Sequence, residues 1–430
     1  MTPAGRSSLG EQYAAAAHAV AAVLSGESLT AVRETALAPL RDPRARAGAQ
    51  AFLYATLRAY GPAPALVRLL LRRPLTDTVL AALLYVALTD LRANPAHAHT
   101  VVDQAVHAAV SLGRIAGKGL VNAVLRNYLR HRASLEQRIG ADPEVAWQHP
   151  RWWVDRVREE WPDAWQGVLA AANEPPPLCI RVNARAGNAA AYAARLAEVG
   201  LAGRPAGAEA LIVEPPVGVE SLPGFHEGAC SVQDAGAQRA AHLLEVADGQ
   251  RVLDACAAPG GKAAHILERA RVDLLALELD AARAPLIEEN LARLRLHGQV
   301  RVGDAADPQE WWDGRPFDRI LADVPCTASG IARRHPDLKW LRRKSDIAQF
   351  ARSQRAIVRA LWPLLAPGGK FLYATCSVFQ EENQHVRDAV AAELPDALQI
   401  RLPGLRDGQL LPAADHDGFY YAMLEKKRTG

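Results

Sequence analysis

Cysteine is scarce in this chain. Five are scattered over 430 residues, Cys179, Cys230, Cys256, Cys326 and Cys376, with no Cys-x-x-Cys pair among them. An odd, widely spaced set argues against a disulfide framework, a cysteine zinc site and a thioredoxin-like motif. Free thiols in a reducing cytoplasm are the expectation, and no metal is expected. Long apolar runs are missing as well. Arg, Asp or Glu interrupts each stretch well short of the ~20 residues that a membrane span needs. The N-terminus reads "AAAAHAVAAVLSG" after Arg6, but Glu11 and Gln12 stand where a signal peptide would begin its apolar ramp. That segment therefore reads as the start of a helix. What is left is an ordinary globular composition, half apolar and 23% charged, with room for two or three domains.

The net charge of +3 conceals an asymmetry. Residues 1–140 hold 16 Lys+Arg and 8 Asp+Glu, whereas the remainder holds 34 and 39. A cationic front third attracts polyanions through counterion release, although a merely solvated Arg-rich surface has the same composition. This third reads as all-helical. Helix-period apolar residues recur near 13–25, 45–60, 76–92, 98–111 and 116–131, between breaks such as "SGES", "YGPAP" and "ANPAHA". In "KGLVNAVLRNYLRHR", Val121, Val124, Leu125 and Leu129 make an apolar stripe. Lys118, Arg126, Arg130 and Arg132 are left to the wet side. Lys118, Arg126 and Arg130 are candidate RNA contacts, and the pattern equally suits the outside of a bundle.

A middle region follows over 141–240. Trp153, Val157 and Trp161 fall at i, i+4, i+8 in "HPRWWVDRVREEW" and are expected in a core rather than on a base-stacking platform. "EPPPLCIRVN" leads into a strand, "AAAYAARLAEVGL" is a helix and "ALIVEPP" another strand, giving a small α/β platform. Cys179 and Cys230 belong to it as buried, unreactive side chains. From about 248 strands alternate with helices through "RVLDACAAPGGKAAHILERA", "VDLLALELD", "VRVGDAAD", "FDRILADVPC", "GGKFLYATCS" and "FYYAMLEKK". That rhythm predicts a doubly wound α/β domain with a largely parallel sheet, whose ligands bind outside the carboxyl ends of the strands.

Strand ends are where the informative residues stand. The turn Ala255-Cys256-Ala257-Ala258-Pro259-Gly260-Gly261-Lys262 separates a strand from a helix. It is not a P-loop: Cys256 replaces the first glycine and Ala263 the hydroxyl residue that would hold magnesium. A dinucleotide Gly-x-Gly-x-x-Gly is absent too. The glycines are expected to let a ligand approach the backbone closely. Asp254, Glu278, Asp304 and Asp323 close four successive strands. A single one reads as a helix N-cap. Four together line a pocket that repels pyrophosphate and suits a cofactor with hydroxyls and positive charge, which points to S-adenosylmethionine.

Cys326 and Cys376 add the chemistry. C5 of cytosine is too electron-poor to take a methyl group unaided. A thiolate added at C6 turns the ring into an enamine, and cysteine suits that task because a few per cent is ionised near pH 7. A second cysteine has a use when the first must leave.

"LDACAAPGGK", "ADVPCTASG", "RRHPDLKW" and "LYATCSVFQEENQ" resemble the motifs of the RNA cytosine-5 methyltransferases, and "LCIRVN" with "GACSVQDAGAQ" resembles the region preceding their catalytic domain. The helical front, through "LRDPRARAGAQAFLYATLR" and "KGLVNAVLR", is similar to a NusB-like RNA-binding domain. The combination resembles the Sun/Fmu type of bacterial 16S ribosomal RNA (cytosine-C5)-methyltransferases over nearly the whole chain. The resemblance implies an all-α NusB-like domain at 1–140, a helical linker with a small α/β RNA-binding region at 141–240, and a Rossmann-like, S-adenosylmethionine-dependent methyltransferase domain at 241–430. It implies methylation of cytosine C5 in 16S ribosomal RNA, with Cys376 as nucleophile and Cys326 assisting product release. Spacing alone does not make that choice, because DNA cytosine-5 methyltransferases attack with the cysteine of the Pro-Cys motif. It also implies that Ala255 to Lys262, with Asp304 and Asp323, hold the cofactor, and that Asp323 serves catalysis. Glu278 departs from the usual Asp, yet still offers two oxygens to a ribose diol. Lys262 is left between two tasks, orienting Asp323 or holding the cofactor carboxylate. Arg333, Arg334 and His335 follow the Pro-Cys loop and are candidate phosphate contacts for a flipped or single-stranded base. A non-catalytic RNA-binding or assembly factor, and a methyltransferase acting on another RNA such as tRNA, are the rival functions. An amino-group methyltransferase ranks last, since "DVPC" lacks the aromatic residue of a [DN]PP[YF] loop. A monomer is the default.

Overall fold

The computed structural model describes residues 8–428; Arg6 lies outside them. The described chain divides into two compact units. One holds the residues up to Glu174 together with Ala332–Lys344, and the other holds Pro175–Ile331 and the residues from Ser345 onward.

The first unit is helical. Helices α1 (Leu9–Leu24), α2 (Leu29–Leu37), α3 (Pro43–Arg58), α4 (Pro62–Leu70), α5 (Thr78–Ala93), α6 (Ala98–Ser111) and α7 (Lys118–Ile139) form a bundle. The Ala-rich α1 is buried on nearly all sides and packs on α3, α5 and α6, as a helix apolar all round must. Its start is fixed by a capping box. Ser8 Oγ accepts the Glu11 N–H, and Glu11 reaches back to the Ser8 N–H. Glu11, which interrupts the apolar ramp in the sequence, is thus a helix-start residue. Two of the sequence breaks conceal short helices: "SGES" ends in Ser28, the N-cap of α2, and "YGPAP" supplies Pro62 at the start of α4. Val121, Val124 and Leu125 of α7 are buried as their spacing predicts. Tyr128 is buried with them, its hydroxyl donating to Glu136 at 2.8 Å.

Helices α8 (Pro143–Trp147), α9 (Arg151–Glu160) and α10 (Trp165–Asn173) follow. Trp153 and Val157 are core residues, while Trp161 caps α9 half-buried. The chain returns to this unit at Ala332–Lys344, and buried polar groups hold that segment. Lys339 Nζ donates to the carbonyls of Arg58 (2.8 Å) and Gln148 (3.0 Å) and to Asn173 Oδ1 (2.8 Å). Asp337 accepts the first N–H of α2, from Leu29, at 3.0 Å.

The second unit contains two sheets. Strands β1 (Leu178–Val182), β2 (Ala202–Pro205), β3 (Ala210–Glu214) and β4 (Cys230–Val232) make an antiparallel sheet in the order β2-β3-β1-β4, with helix α11 (Ala189–Glu198) between β1 and β2. Cys179 and Cys230 are buried in it. Helix α12 (Ala235–Leu243) leads to the large sheet, built from β5 (Arg251–Ala255), β6 (Asp273–Glu278), β7 (Gln299–Val302), β8 (Phe317–Asp323), β9 (Leu365–Thr375), β10 (Ala397–Ile400), β11 (Gln409–Leu410) and β12 (Phe419–Lys426). Its order is β10-β12-β9-β8-β5-β6-β7, and β5 to β9 run parallel while β12 is antiparallel. Helices α13 (Gly261–Arg269) and α14 (Ala284–Arg293) cross between β5, β6 and β7. The chain order reverses between β5 and β8, so the crevice outside their carboxyl ends is the switch point at which such sheets bind ligands.

Candidate active site

Register brings the predicted residues to that crevice. Ala255 of β5 pairs with Leu277 of β6 and Ala322 of β8, and Asp323 of β8 pairs with Ala374 of β9. Cys326 therefore emerges three residues beyond the end of β8, and Cys376 one residue beyond the end of β9. The two sulfurs lie 3.3 Å apart. Their surroundings differ. Cys326 is buried, while Cys376 is partly open. The contact with Cys376, burial and the charge of Glu382 together push the Cys326 thiol well above the ordinary cysteine value. Cys326 thus keeps its proton at neutral pH, and either sulfur can donate in the S–H···S contact.

The loops that carry them are stitched together. The Gly330 N–H donates to the Cys376 carbonyl at 2.8 Å, and the Val378 N–H donates to Ser329 Oγ at 2.9 Å. A Cβ on Gly330 would run into the carbonyl oxygens of Gly418 and Cys376, so only glycine permits this approach. Glu382 is fully buried between the loops. Its Oε1 accepts the Thr327 N–H at 2.7 Å, and its Oε2 accepts the hydroxyls of Thr327 (2.5 Å) and Ser377 (2.6 Å). Burial pushes its carboxyl up to about 7 against the pull of those donors. One carboxylate thus holds the residue after Cys326 and the residue after Cys376. In the sequence, "QEEN" gives no sign of this, because acidic pairs usually face solvent.

The four strand-end acids converge as well. The charges of Asp323, Glu278, Asp254 and Asp304 all act on the Cys256 thiol, which burial first and then this ring of acids drives far up. Cys256 adopts a left-handed backbone (φ 63°) directly after β5. Glu278 anchors the turn: its Oε2 accepts the Ala258 N–H and its Oε1 the Asp280 N–H, both at 3.1 Å. Asp304 stands just past β7 and accepts the Ala306 N–H at 2.8 Å. Asp254 is fully buried, and neither oxygen accepts a well-formed hydrogen bond. Burial and the charge of Asp323 raise it to about 8.

Lys262 pairs with Asp323, one of the two tasks open to it from the sequence. Burial opposes the ammonium, but the charge and hydrogen bond of Asp323, with Cys376 nearby, outweigh it and hold Lys262 above its usual value. Gly260 has φ +92°, and a Cβ there would lie 3.1 Å from Ile287 of α14. Its glycine thus serves packing against the protein itself, a reason the sequence does not reveal. Gly261 is open, with only Gln233 within reach.

The candidate RNA contacts fall elsewhere. Lys118, Arg126 and Arg130 are exposed on α7, and Arg130 lines a hollow with Arg72, Arg73 and Asn127. Arg333, Arg334 and His335 belong to the helical unit's Ala332–Lys344 segment. Arg333 is buried there, and Arg334 and His335 are half-buried. Arg333 is therefore a packed residue rather than a presented one, because its neighbours Asp337 and Lys339 bind this segment to the bundle.

Comparison with known proteins agrees with this architecture. The family model "16S rRNA methyltransferase RsmB/F" matches residues 241–425. "Methyltr_RsmF/B-like, ferredoxin-like domain" matches residues 149–220, and "NusB family" matches residues 12–130. Ribosomal RNA small subunit methyltransferase B of Pseudomonas putida is 42% identical over 425 residues, covering 96% of this chain and 98% of that protein. The crystal structure of PH0851 superposes with a TM-score of 0.81 at 22% identity, covering 98% of this chain and 99% of that one. NSun6 from Pyrococcus horikoshii with SFG gives 0.58 at 20% identity, over 65% of this chain and 99% of that one. The two structural likenesses bear on the fold.

Proposed function

Because the chain belongs to the 16S rRNA methyltransferase RsmB/F family, we propose that it methylates C5 of a cytosine in 16S ribosomal RNA through a covalent bond from Cys376 to C6. The coarser function is plain: the chain is a ribosomal RNA methyltransferase, and its methyl donor is S-adenosylmethionine. Bound in the crevice, that donor supplies an electrophilic methyl group on a positively charged sulfur. The residues present fit it. Glu278 keeps a further lone pair on each oxygen for ribose hydroxyls, and the ring of acids favours a cation.

The observation that carries the proposal is the 3.3 Å contact between Cys326 and Cys376 at the mouth of this crevice. Cys376, the more open sulfur, is in this reading the one that adds to C6 of a base extruded from its stack. The Cys326 S–H and the Lys262 ammonium stand beside the sulfur that bears negative charge before addition. After methyl transfer water acting as base takes the C5 proton, the C–H electron pair restores the C5=C6 double bond, and the C6–S pair leaves on Cys376. The Cys326 S–H then supports the departing Cys376 thiolate, which is a release role. In this reading residues 1–140 and 141–240 hold the RNA, residues 241–430 perform the chemistry, and the protein works in the cytoplasm. No helix among the described residues is long and apolar enough to cross a membrane.

The test is nucleoside analysis of ribosomal RNA after incubation with labelled S-adenosylmethionine. The label is expected in 5-methylcytidine from 16S RNA. Label in another nucleoside, in tRNA only, or in no RNA at all would contradict the proposal.

Glu382→Gln tests the alignment. Glutamine fits the same space but turns a donor toward groups that donate to Glu382. A displacement of about 1 Å at reacting atoms costs about 10²-fold in rate. We expect kcat to fall by about that factor with the KM for S-adenosylmethionine little changed. An unchanged kcat would remove Glu382 from the account.

A further inference from the structure

Away from the methyl-transfer crevice, three side chains from three elements of the second unit direct one donor atom each to a common point. Glu209 immediately precedes β3, His242 lies near the end of α12, and His265 lies within α13. Their donor atoms all fall within 4.8 Å of one another. His242 Nε2 is 2.7 Å from Glu209 Oε2, and His265 Nε2 is 3.9 Å from the same oxygen. The two imidazole rings meet edge to face at 5.3 Å.

His265 makes the cluster more than a surface triad. Only 1% of it is exposed, and neither ring nitrogen has a hydrogen-bond partner. A neutral imidazole has one donor and one acceptor, and leaving both buried and unmatched is costly. A buried imidazole with both nitrogens unmatched is free to offer one of them to an ion. Glu209 is already oriented from behind. Arg269 Nη1 donates to its Oε1 at 3.2 Å, so Oε2 is the oxygen that faces the rings. Arg181, the other cation near His265, is neutralised by a two-pronged pair with Glu268.

We propose that Glu209, His242 and His265 bind a divalent transition-metal ion of the zinc class, with water completing the coordination. Two imidazole nitrogens and a carboxylate oxygen are a donor set that zinc takes at about 2.0–2.2 Å. Such bonds place tetrahedral ligand atoms roughly 3.3 Å apart, so the His242–Glu209 pair at 2.7 Å must open slightly while the other two distances, 3.9 Å and at most 4.8 Å, close. His242 would carry its proton on Nδ1, freeing Nε2. Arg269 also stands against the site, with Nη1 3.5 Å from His242 Nε2. It is a third exposed and stays attached to Oε1 when Oε2 turns to the ion. The scarcity of paired cysteines excludes a thiolate zinc site but leaves this histidine site untouched. The ion would tie the loop before β3 to α13, the helix that begins at the cofactor turn.

The test uses the full-length protein with Cys326→Ser and Cys376→Ser, so that the neighbouring thiols cannot take the metal. Titration with Co²⁺ is expected to give one ion per chain, with a visible d–d band and no thiolate charge-transfer band. Zn²⁺ should displace it and raise the melting temperature. His265→Ala, and separately the half-buried Glu209→Gln, should weaken binding at least about tenfold and abolish the shift in melting temperature. Circular dichroism of each variant checks that it folds. Absence of stoichiometric Co²⁺ and Zn²⁺ binding in the parent would overturn the proposal. So would binding that survives in the folded Glu209→Gln and His265→Ala variants.

Discussion

Cys376→Ala is expected to abolish methyl transfer and to form no covalent RNA complex, whereas Cys326→Ala is expected to accumulate such a complex. The asymmetry follows from the two environments rather than from the two residue types, which are the same. Cys376 is the sulfur that a base can reach, while Cys326 is buried and held protonated by the contact with Cys376 and by its burial. Without Cys376 no bond forms to C6, and C5 stays too electron-poor to react. Loss of a covalent nucleophile is expected to cost about 10⁴-fold or more in rate. Without Cys326 addition still occurs, but the departing thiolate loses the S–H that stood 3.3 Å away. Release slows, and the protein–RNA bond survives denaturing electrophoresis. Complexes from Cys376→Ala and none from Cys326→Ala would reverse the two roles.

Arg181→Met is expected to destabilise the second unit by about 3–5 kcal/mol, the scale on which breaking one side of a buried ion pair acts. Arg181 lies on β1 and Glu268 on α13, and both side chains are fully buried. The guanidinium meets the carboxylate through two bonds, at 2.9 and 2.8 Å, and reaches the Gly261 carbonyl at 2.8 Å and the Gln233 side chain. It thus joins the small sheet to the helix that starts at the cofactor turn. Methionine fills similar space but leaves the Glu268 charge alone in the interior. Burial already holds Glu268 above the usual carboxylate value despite Arg181, and removing the cation lifts it further. A carboxyl raised in the fold loses stability as pH climbs past its unfolded value, by about 1.4 kcal/mol for each pH unit in which only the unfolded chain is ionised. The deficit of Arg181→Met should therefore be smallest near pH 4 and widen toward pH 8. Adding Glu268→Leu should recover most of it. Urea denaturation at several pH values reads both effects, and a deficit independent of pH would contradict the assignment.

Much of the crevice was legible because its residues stand at strand ends. A carboxylate that closes an apolar strand has few places to point other than outside the sheet, and Glu278 and Asp323 do close β6 and β8, whereas Asp304 stands just past β7 and Asp254 lies one residue inside β5, fully buried. The adjacency of Cys326 and Cys376 depends on strand order, which periodicity does not encode; the resemblance to a known family implied it. Glu382 was hidden because its partners come from two loops distant in sequence. Arg181 left a trace: a charged residue inside the apolar strand "LCIRV" asks for a buried partner. The partner, 87 residues away, could not be named from local pattern. Nor does anything local reveal that Ala332–Lys344 joins the helical unit. That depends on Lys339 finding three acceptors at positions 58, 148 and 173.

Tandem mass spectrometry of the peptide released from a Cys326→Ala–RNA complex addresses the chemistry itself. The account predicts a single nucleotide attached to Cys376, a cytidine that carries the transferred methyl group on its ring. A nucleotide bound to any other residue, or a methylated ribose or amino group, would contradict it.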